Sequence, residues 1–227
     1  MRLLRFSCVL ALGLSAVAVV PAAGRQLPPA TVQAPAYAAL IGDYPGPGSE
    51  GAKADQAILL WLQTTRTQDA VARARSEADL ALGVFSPVTG KDLESPGFPL
   101  TRALAEDLRL DLRRTTGSLK DWFARPRPYQ AMAQIKPAVR LETNSSYPSG
   151  HSAWGVAEAT LLAALEPGRR EAILDRGRLV GYDRALAGVH YPSDVEAGQR
   201  VGEAFAQTWL AAHQARVDQA RAAEWGQ

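Results

Sequence analysis

Two histidines in this chain stand beside residues that could put them to chemical use. His190 lies four residues before Asp194 in the run Asp183-Arg184-Ala185-Leu186-Ala187-Gly188-Val189-His190-Tyr191-Pro192-Ser193-Asp194, and His151 closes the run Ser146-Tyr147-Pro148-Ser149-Gly150-His151. A third cluster, Lys120-Asp121-Trp122-Phe123-Ala124-Arg125-Pro126-Arg127-Pro128, is cationic. Each has an ordinary explanation when taken alone. Lys120, Arg125 and Arg127 could be a solvated helix end, His151 a turn cap, and His190 with Asp194 a surface pair. Taken together they are complementary parts of one reaction, the transfer of a phosphoryl group. A phosphate dianion needs several fixed positive donors, which Lys120 offers as a point charge and Arg127 and Arg184 as planar forks. Only one arginine of the Arg125/Arg127 pair need face a ligand, so Arg125 keeps the solvated reading. Ser149 and Gly150 lead into a helix, where a hydroxyl and backbone N–H groups meet an anion at the positive dipole end. Two histidines and a carboxylate supply a nucleophile, its orienting group and a proton donor. His213 sits in an Ala-rich late stretch with no partner pattern and reads as a surface or packing histidine.

Something must hold these clusters together, and the rest of the text is helical. The chain has 227 residues, 47% of them hydrophobic, which suits one soluble domain with a substantial core. Ile58, Trp61, Leu62 and Thr65 recur at i, i+3, i+4 and i+7 and predict one apolar helical face. Further helices are expected over 69–82, 101–123 (with a break near Gly117), 154–165, 170–186 and from Pro192 to about 223. Proline and glycine make 85–99 a loop, Pro126 and Pro128 stop the long helix, and 129–148 reads as loop-like. No strand-like alternation of useful length occurs. The expectation is an all-α, single-domain helical bundle occupying 51–227.

The first 24 residues read as an export signal, with Arg2 and Arg5 before the uncharged apolar run Phe6 to Val20 and small residues at Ala22, Ala23 and Gly24. That run is short of the ~20 residues a membrane span needs, so a periplasmic or secreted protein, free of the membrane after cleavage, is expected. Residues 25–50, rich in Pro, Gly and Ala, read as an extended N-terminal arm. The single cysteine, Cys8, falls within the signal, so the mature chain has no disulfide, no thiol nucleophile and no cysteine metal site. Loss of Arg2 and Arg5 brings basic and acidic residues into balance, which argues against a nucleic-acid partner.

The three clusters resemble the Lys-x6-Arg-Pro, Pro-Ser-Gly-His and Ser-Arg-x5-His-x3-Asp motifs of the type 2 phosphatidic acid phosphatase and vanadium haloperoxidase superfamily. Ala54-Asp55-Gln56-Ala57, Phe85-Ser86-Pro87-Val88-Thr89 and Ser193-Asp194-Val195-Glu196-Ala197-Gly198 are similar to the bacterial class A non-specific acid phosphatases within it. The resemblance implies the superfamily's helical fold and a metal-independent acid phosphatase of broad specificity for small phosphomonoesters, with no cofactor. It implies His190 as the nucleophile that becomes a phosphohistidine, Asp194 as its orienting carboxylate and His151 as the proton donor. It implies Lys120, Arg127, Ser149, Gly150 and Arg184 as the phosphate-binding set. It leaves open a vanadate-dependent haloperoxidase or a lipid phosphate phosphatase using the same site, and a homo-oligomer. Asp183 stands where the family has serine, and is expected to pair with a nearby cation or to face away. Val189 stands where class A relatives often carry an aromatic residue.

Overall fold

The structure, a computed structural model, describes residues 34–226. The expected signal and the beginning of the arm lie outside the described residues. Within them the secondary structure is helical, with no strand. The helices are α1 (Ala34–Ile41), α2 (Glu50–Thr65), α3 (Gln68–Ser76), the single turn α4 (Ser86–Thr89), α5 (Pro99–Phe123), the single turn α6 (Pro128–Ala131), α7 (Gly150–Leu165), α8 (Arg170–Leu186), α9 (Pro192–Ala212) and α10 (Gln214–Ala220). Local chemistry fixes many of the starts. The Ser49 and Thr67 side chains accept from the Ala52 and Ala70 N–H groups and cap α2 and α3. Pro99, Pro128 and Pro192 open their helices where a missing N–H costs nothing.

The centre of the molecule is α7. Its sequence is apolar on nearly every face, as befits a helix surrounded by others, and α5, α8 and α9 pack around it. Close approach is achieved with glycine. A Cβ on Gly155 or Gly177 would collide with the backbone of the facing helix, and one on Gly202 of α9 would collide with the Ala153 carbonyl of α7. Three helices therefore carry their motif-bearing ends to one end of α7. Leu108, Leu112 and Leu119 of α5, Leu161, Leu162 and Leu165 of α7, and Val201 and Phe205 of α9 are all buried in the shared core, each such side chain contributing about 2 kcal/mol.

Several expectations change. The arm is not extended throughout, because Ala34–Ile41 forms a helix whose Tyr37 and Ile41 reach the core; apolar spacing outweighs the flanking prolines. The turn of α2 is set differently from the apolar pattern. Ala52, Asp55 and Leu59 face inward and Leu62 is half-buried, whereas Ile58 and Trp61 are exposed. The cause is Asp55, whose carboxylate is held inside by an arginine described below. Helix α5 runs unbroken through Gly117, α3 ends at Ser76, and the expected last helix breaks at His213, whose ring stacks on Trp209 at 3.9 Å. His213 is thus a packing residue.

Candidate active site

All eight residues expected to carry chemistry, four at the surface of a cavity and four below it, meet around the N-terminus of α7. A cavity of about 420 Å³ opens there, lined by Lys120, Glu142, Asn144, Gly150, His151 and Arg184 among others, a size suited to a small ligand. Arg127, His190, Asp194 and Ser149 lie sealed behind that lining. Their positions follow from how the helices begin and end. Lys120 is in the last turn of α5, His151 in the first turn of α7, Arg184 in the last turn of α8, and Asp194 in the first turn of α9.

His190 is fully buried, and its two ring nitrogens have different partners. Nε2 lies 3.1 Å from Arg127 Nη1 and Nδ1 lies 3.3 Å from Asp194 Oδ2. Arginine only donates, so Nε2 holds the lone pair and Nδ1 carries the hydrogen toward the carboxylate. Burial, then the charges of Arg127 and Lys120, push the imidazole well below its ordinary range and keep it neutral. A neutral ring with its lone pair aimed at a guanidinium has the form a nucleophile beside an anion site would need.

The cations around it are desolvated to different degrees. Burial, reinforced by Arg127, lowers Lys120 to about 7, and its Nζ donates to the Ser145 carbonyl at 2.5 Å. Arg184 is anchored through Nη2 to the Ala74 carbonyl and to Glu77, while its Nε is buried without a hydrogen-bond partner among the described residues. Such an orphaned donor is a seat for an acceptor atom of a ligand. His151 donates Nε2–H toward the Ala78 carbonyl at 3.3 Å and turns Nδ1 toward Glu142 Oε1 at 3.6 Å. Burial, then Arg184, lowers it to about 4. It is therefore neutral in the free protein well into the acidic range, below the ordinary histidine titration.

Ser149 and Gly150 divide their tasks. The Ser149 hydroxyl accepts from Ser152 N–H at 3.3 Å as the cap of α7, and the Ser149 N–H donates to the Asp194 carbonyl at 3.0 Å. Gly150 is at the cavity wall. Asp183 pairs with Arg73, Nε to Oδ2 at 2.7 Å and Nη2 to Oδ1 at 2.8 Å, so the carboxylate is neutralised by a cation as expected. Val189 is buried against Ala74 and Ala187.

The sequence reading misses Arg125. Far from being a solvated helix end, it is buried and gives Nη1 to Asp194 Oδ1 at 2.6 Å and to Ser193 Oγ at 2.8 Å, and Nη2 to Asp55 Oδ2 at 2.9 Å. Its guanidinium lies over the Tyr191 ring at 3.8 Å and the Tyr44 ring at 4.8 Å. Ser146 is missed as well; its hydroxyl donates to Asp194 Oδ2 at 2.5 Å. The signal that could have found Arg125 is the Asp55 in Ala54-Asp55-Gln56-Ala57, a carboxylate that shares a helix face with the apolar Ala52 and Leu59. Glu142, whose carboxylate bonds Arg127 Nη2 at 2.7 Å, was also unmarked. The chemistry available is charge stabilisation of a tetrahedral anion, in-line attack by a neutral imidazole, and proton transfer by a second one.

Residues 107–218 match the PAP2 superfamily. The chain is similar to the non-specific acid phosphatase of Providencia stuartii, 33% identical over 159 residues that cover 65% of this chain and 63% of that protein. It is also similar to the non-specific acid phosphatase of Salmonella typhimurium, 32% identical over 57% of this chain and 56% of that protein. The chain thus spans less than two thirds of the length of these relatives. In fold it resembles the crystal structure of a transmembrane PAP2 type phosphatidylglycerolphosphate phosphatase from Bacillus subtilis, with a TM-score of 0.56, 20% identity, and 74% of this chain and 89% of that one covered.

Proposed function

Because the chain carries a PAP2 superfamily domain, with relatives named as non-specific acid phosphatases, we propose that it is an acid phosphatase that hydrolyses small phosphomonoesters through a phosphohistidine at His190. The observation that carries this reading is the His190 ring itself, with Nε2 free of hydrogen against Arg127 and Nδ1 turned to Asp194. In the first step Nε2 attacks phosphorus in line, the P–N bond forms, and the bond from phosphorus to the ester oxygen breaks. Asp194 holds the Nδ1–H of the ring, which is cationic in the phosphoenzyme, as the carboxylate of a hydrolase triad does. Protonated His151 gives its proton to the departing alkoxide, then as a base takes one from the water that cleaves the P–N bond and releases inorganic phosphate. Lys120, Arg127, Arg184 and the Gly150 N–H stabilise the three equatorial oxygens. A bound phosphate anion offsets the charge of Arg184 and so raises His151 from its low value in the free protein. Metal independence is part of the proposal, since these cations perform the charge neutralisation that an ion would otherwise supply. Ser149 serves by capping α7 and tying it to α9.

No helix among the described residues is long and apolar enough to cross a membrane. Export to the periplasm or medium remains part of the proposal and rests on residues 1–24.

His190→Ala should abolish hydrolysis of p-nitrophenyl phosphate and eliminate the acid-labile phosphoenzyme trapped from radiolabelled substrate, in buffer containing EDTA. His151→Ala should slow poor leaving groups far more than p-nitrophenol. Normal turnover by His190→Ala, or loss of wild-type activity on chelation, would count against the mechanism. A panel including phosphatidate, and halide with vanadate and peroxide, separates the lipid phosphatase and haloperoxidase alternatives.

A further inference from the structure

The five N–H groups of Arg127 already have acceptors. Nε donates to the Asn144 carbonyl at 3.0 Å, Nη1 to the Val189 carbonyl at 3.0 Å and to His190 Nε2 at 3.1 Å, and Nη2 to Asn144 Oδ1 at 2.6 Å and to Glu142 Oε2 at 2.7 Å. Of these acceptors, Glu142 is the anionic one, and it lines the cavity. From solvent inward the order of contact is Glu142, whose side chain is 33% exposed, then Arg127 and His190, both fully buried. A phosphoryl group that reaches Nε2 must also bond Arg127. The acceptor that gives way to it without uncovering a backbone carbonyl or the nucleophile is the Glu142 carboxylate.

We propose that Glu142 is the resident anion of the phosphate seat and that its carboxylate selects the singly charged, protonated form of a phosphomonoester. The inference rests on the phosphatase reading above. The groups facing Glu142 come from every side: Arg127 from the segment after α5, Lys120 from α5, His151 from α7, Arg184 from α8 and His190 from the segment before α9. Burial works to raise the carboxyl, but these charges, led by Arg127, outweigh it and hold it at about 2. The side chain is therefore ionised wherever the enzyme works, and acidification does not remove it. A dianionic ester meets it as a like charge. A monoanion instead brings a P–O–H group that donates to the carboxylate, a charge-assisted bond of the strong kind. The second ionisation of a phosphomonoester lies near pH ~6. An acidic preference then comes from the substrate's own proton as well as from the histidines.

The test compares wild type with Glu142→Gln, following kcat/KM for p-nitrophenyl phosphate from about pH 5 to about 8. Removing one like charge should raise kcat/KM about tenfold at the basic end and about twofold or less at the acidic end, the tenfold corresponding to about 1.4 kcal/mol. Calorimetric titration of the wild-type protein reads the same property without turnover. Inorganic phosphate should bind more tightly as the pH falls through its own ionisation, whereas sulfate, which stays doubly charged, should bind weakly throughout. Parallel pH profiles in the two proteins, or phosphate binding that tightens toward alkaline pH, overturn the selection while leaving a hydrolysing wild type to support the phosphatase reading. A wild type that hydrolyses no phosphomonoester sinks that reading and this inference with it.

Discussion

Asp194 has two carboxylate oxygens, and each is bound tightly. Oδ1 accepts from Arg125, while Oδ2 accepts from the Ser146 hydroxyl and the Tyr191 N–H and faces His190. The carboxylate therefore cannot turn away from the imidazole without breaking several bonds. Arg125→Ala leaves two buried carboxylates, Asp194 and Asp55, without their shared counter-ion, and losing one partner of such a pair costs about 3–5 kcal/mol. Denaturant unfolding should show that loss, and kcat should fall more than KM rises. Arg125→Lys keeps the charge without the two-pronged geometry and should recover stability only in part. His151 provides a second residue-scale expectation. Its ring should titrate near 4 in the free protein and shift upward when inorganic phosphate is added, because the bound anion offsets Arg184; NMR of the ring signals, assigned with His151→Ala, checks it. That the motif residues gather in one place was legible from type and spacing, because two histidines, a carboxylate and three cations are chemically complementary groups. Arg125 was not, because a surface cation and a buried one look alike in a string of letters, and its partner Asp55 lies 70 residues away.

The helices show where periodicity informs and where it misleads. The apolar spacing of α7 reads correctly because burial alone sets it. In α2 the stripe through Ile58 and Trp61 points outward, because the bonds of Asp55 to Arg125 and to Ser193 N–H and Oγ turn the helix their way. A buried ion pair with two further hydrogen bonds outweighs two aromatic or aliphatic side chains left half in water. The crossing glycines Gly155, Gly177 and Gly202 stay unmarked in the sequence reading, since a close helix crossing leaves no mark that one sequence can show. Gly202→Ala would put a methyl group against the Ala153 carbonyl, forcing α9 away from α7. Overpacking of this kind costs about 1–3 kcal/mol, and because α9 carries Asp194, activity should fall alongside the melting temperature. An alanine at the exposed Gly48, with open space around it but a φ of +78°, should cost stability modestly and leave turnover alone.

Across the molecule, the buried His190 and the half-buried His151 make folding sensitive to acid. Both have folded values below the ordinary one, so between pH 6.5 and about 4 the unfolded chain binds protons that the native state refuses. Stability from this source is complete above pH 6.5 and declines as the pH falls, by about 3 kcal/mol for His151 alone. Melting temperatures measured from neutral to about pH 4 should drop accordingly, and inorganic phosphate should restore part of the loss by binding the native state. An enzyme working in acid would thus lean on its own substrate and product to stay folded. The bond from Asp55 to Arg125 carries a different lesson for anyone cutting the gene into pieces. Residues 107–218 span every motif residue, yet the tether that steadies the Asp194 carboxylate beside His190 begins in α2, well upstream. A fragment starting at 107 would hold the whole toolkit and still be a poor catalyst, and adding α2 back as a separate peptide should revive it.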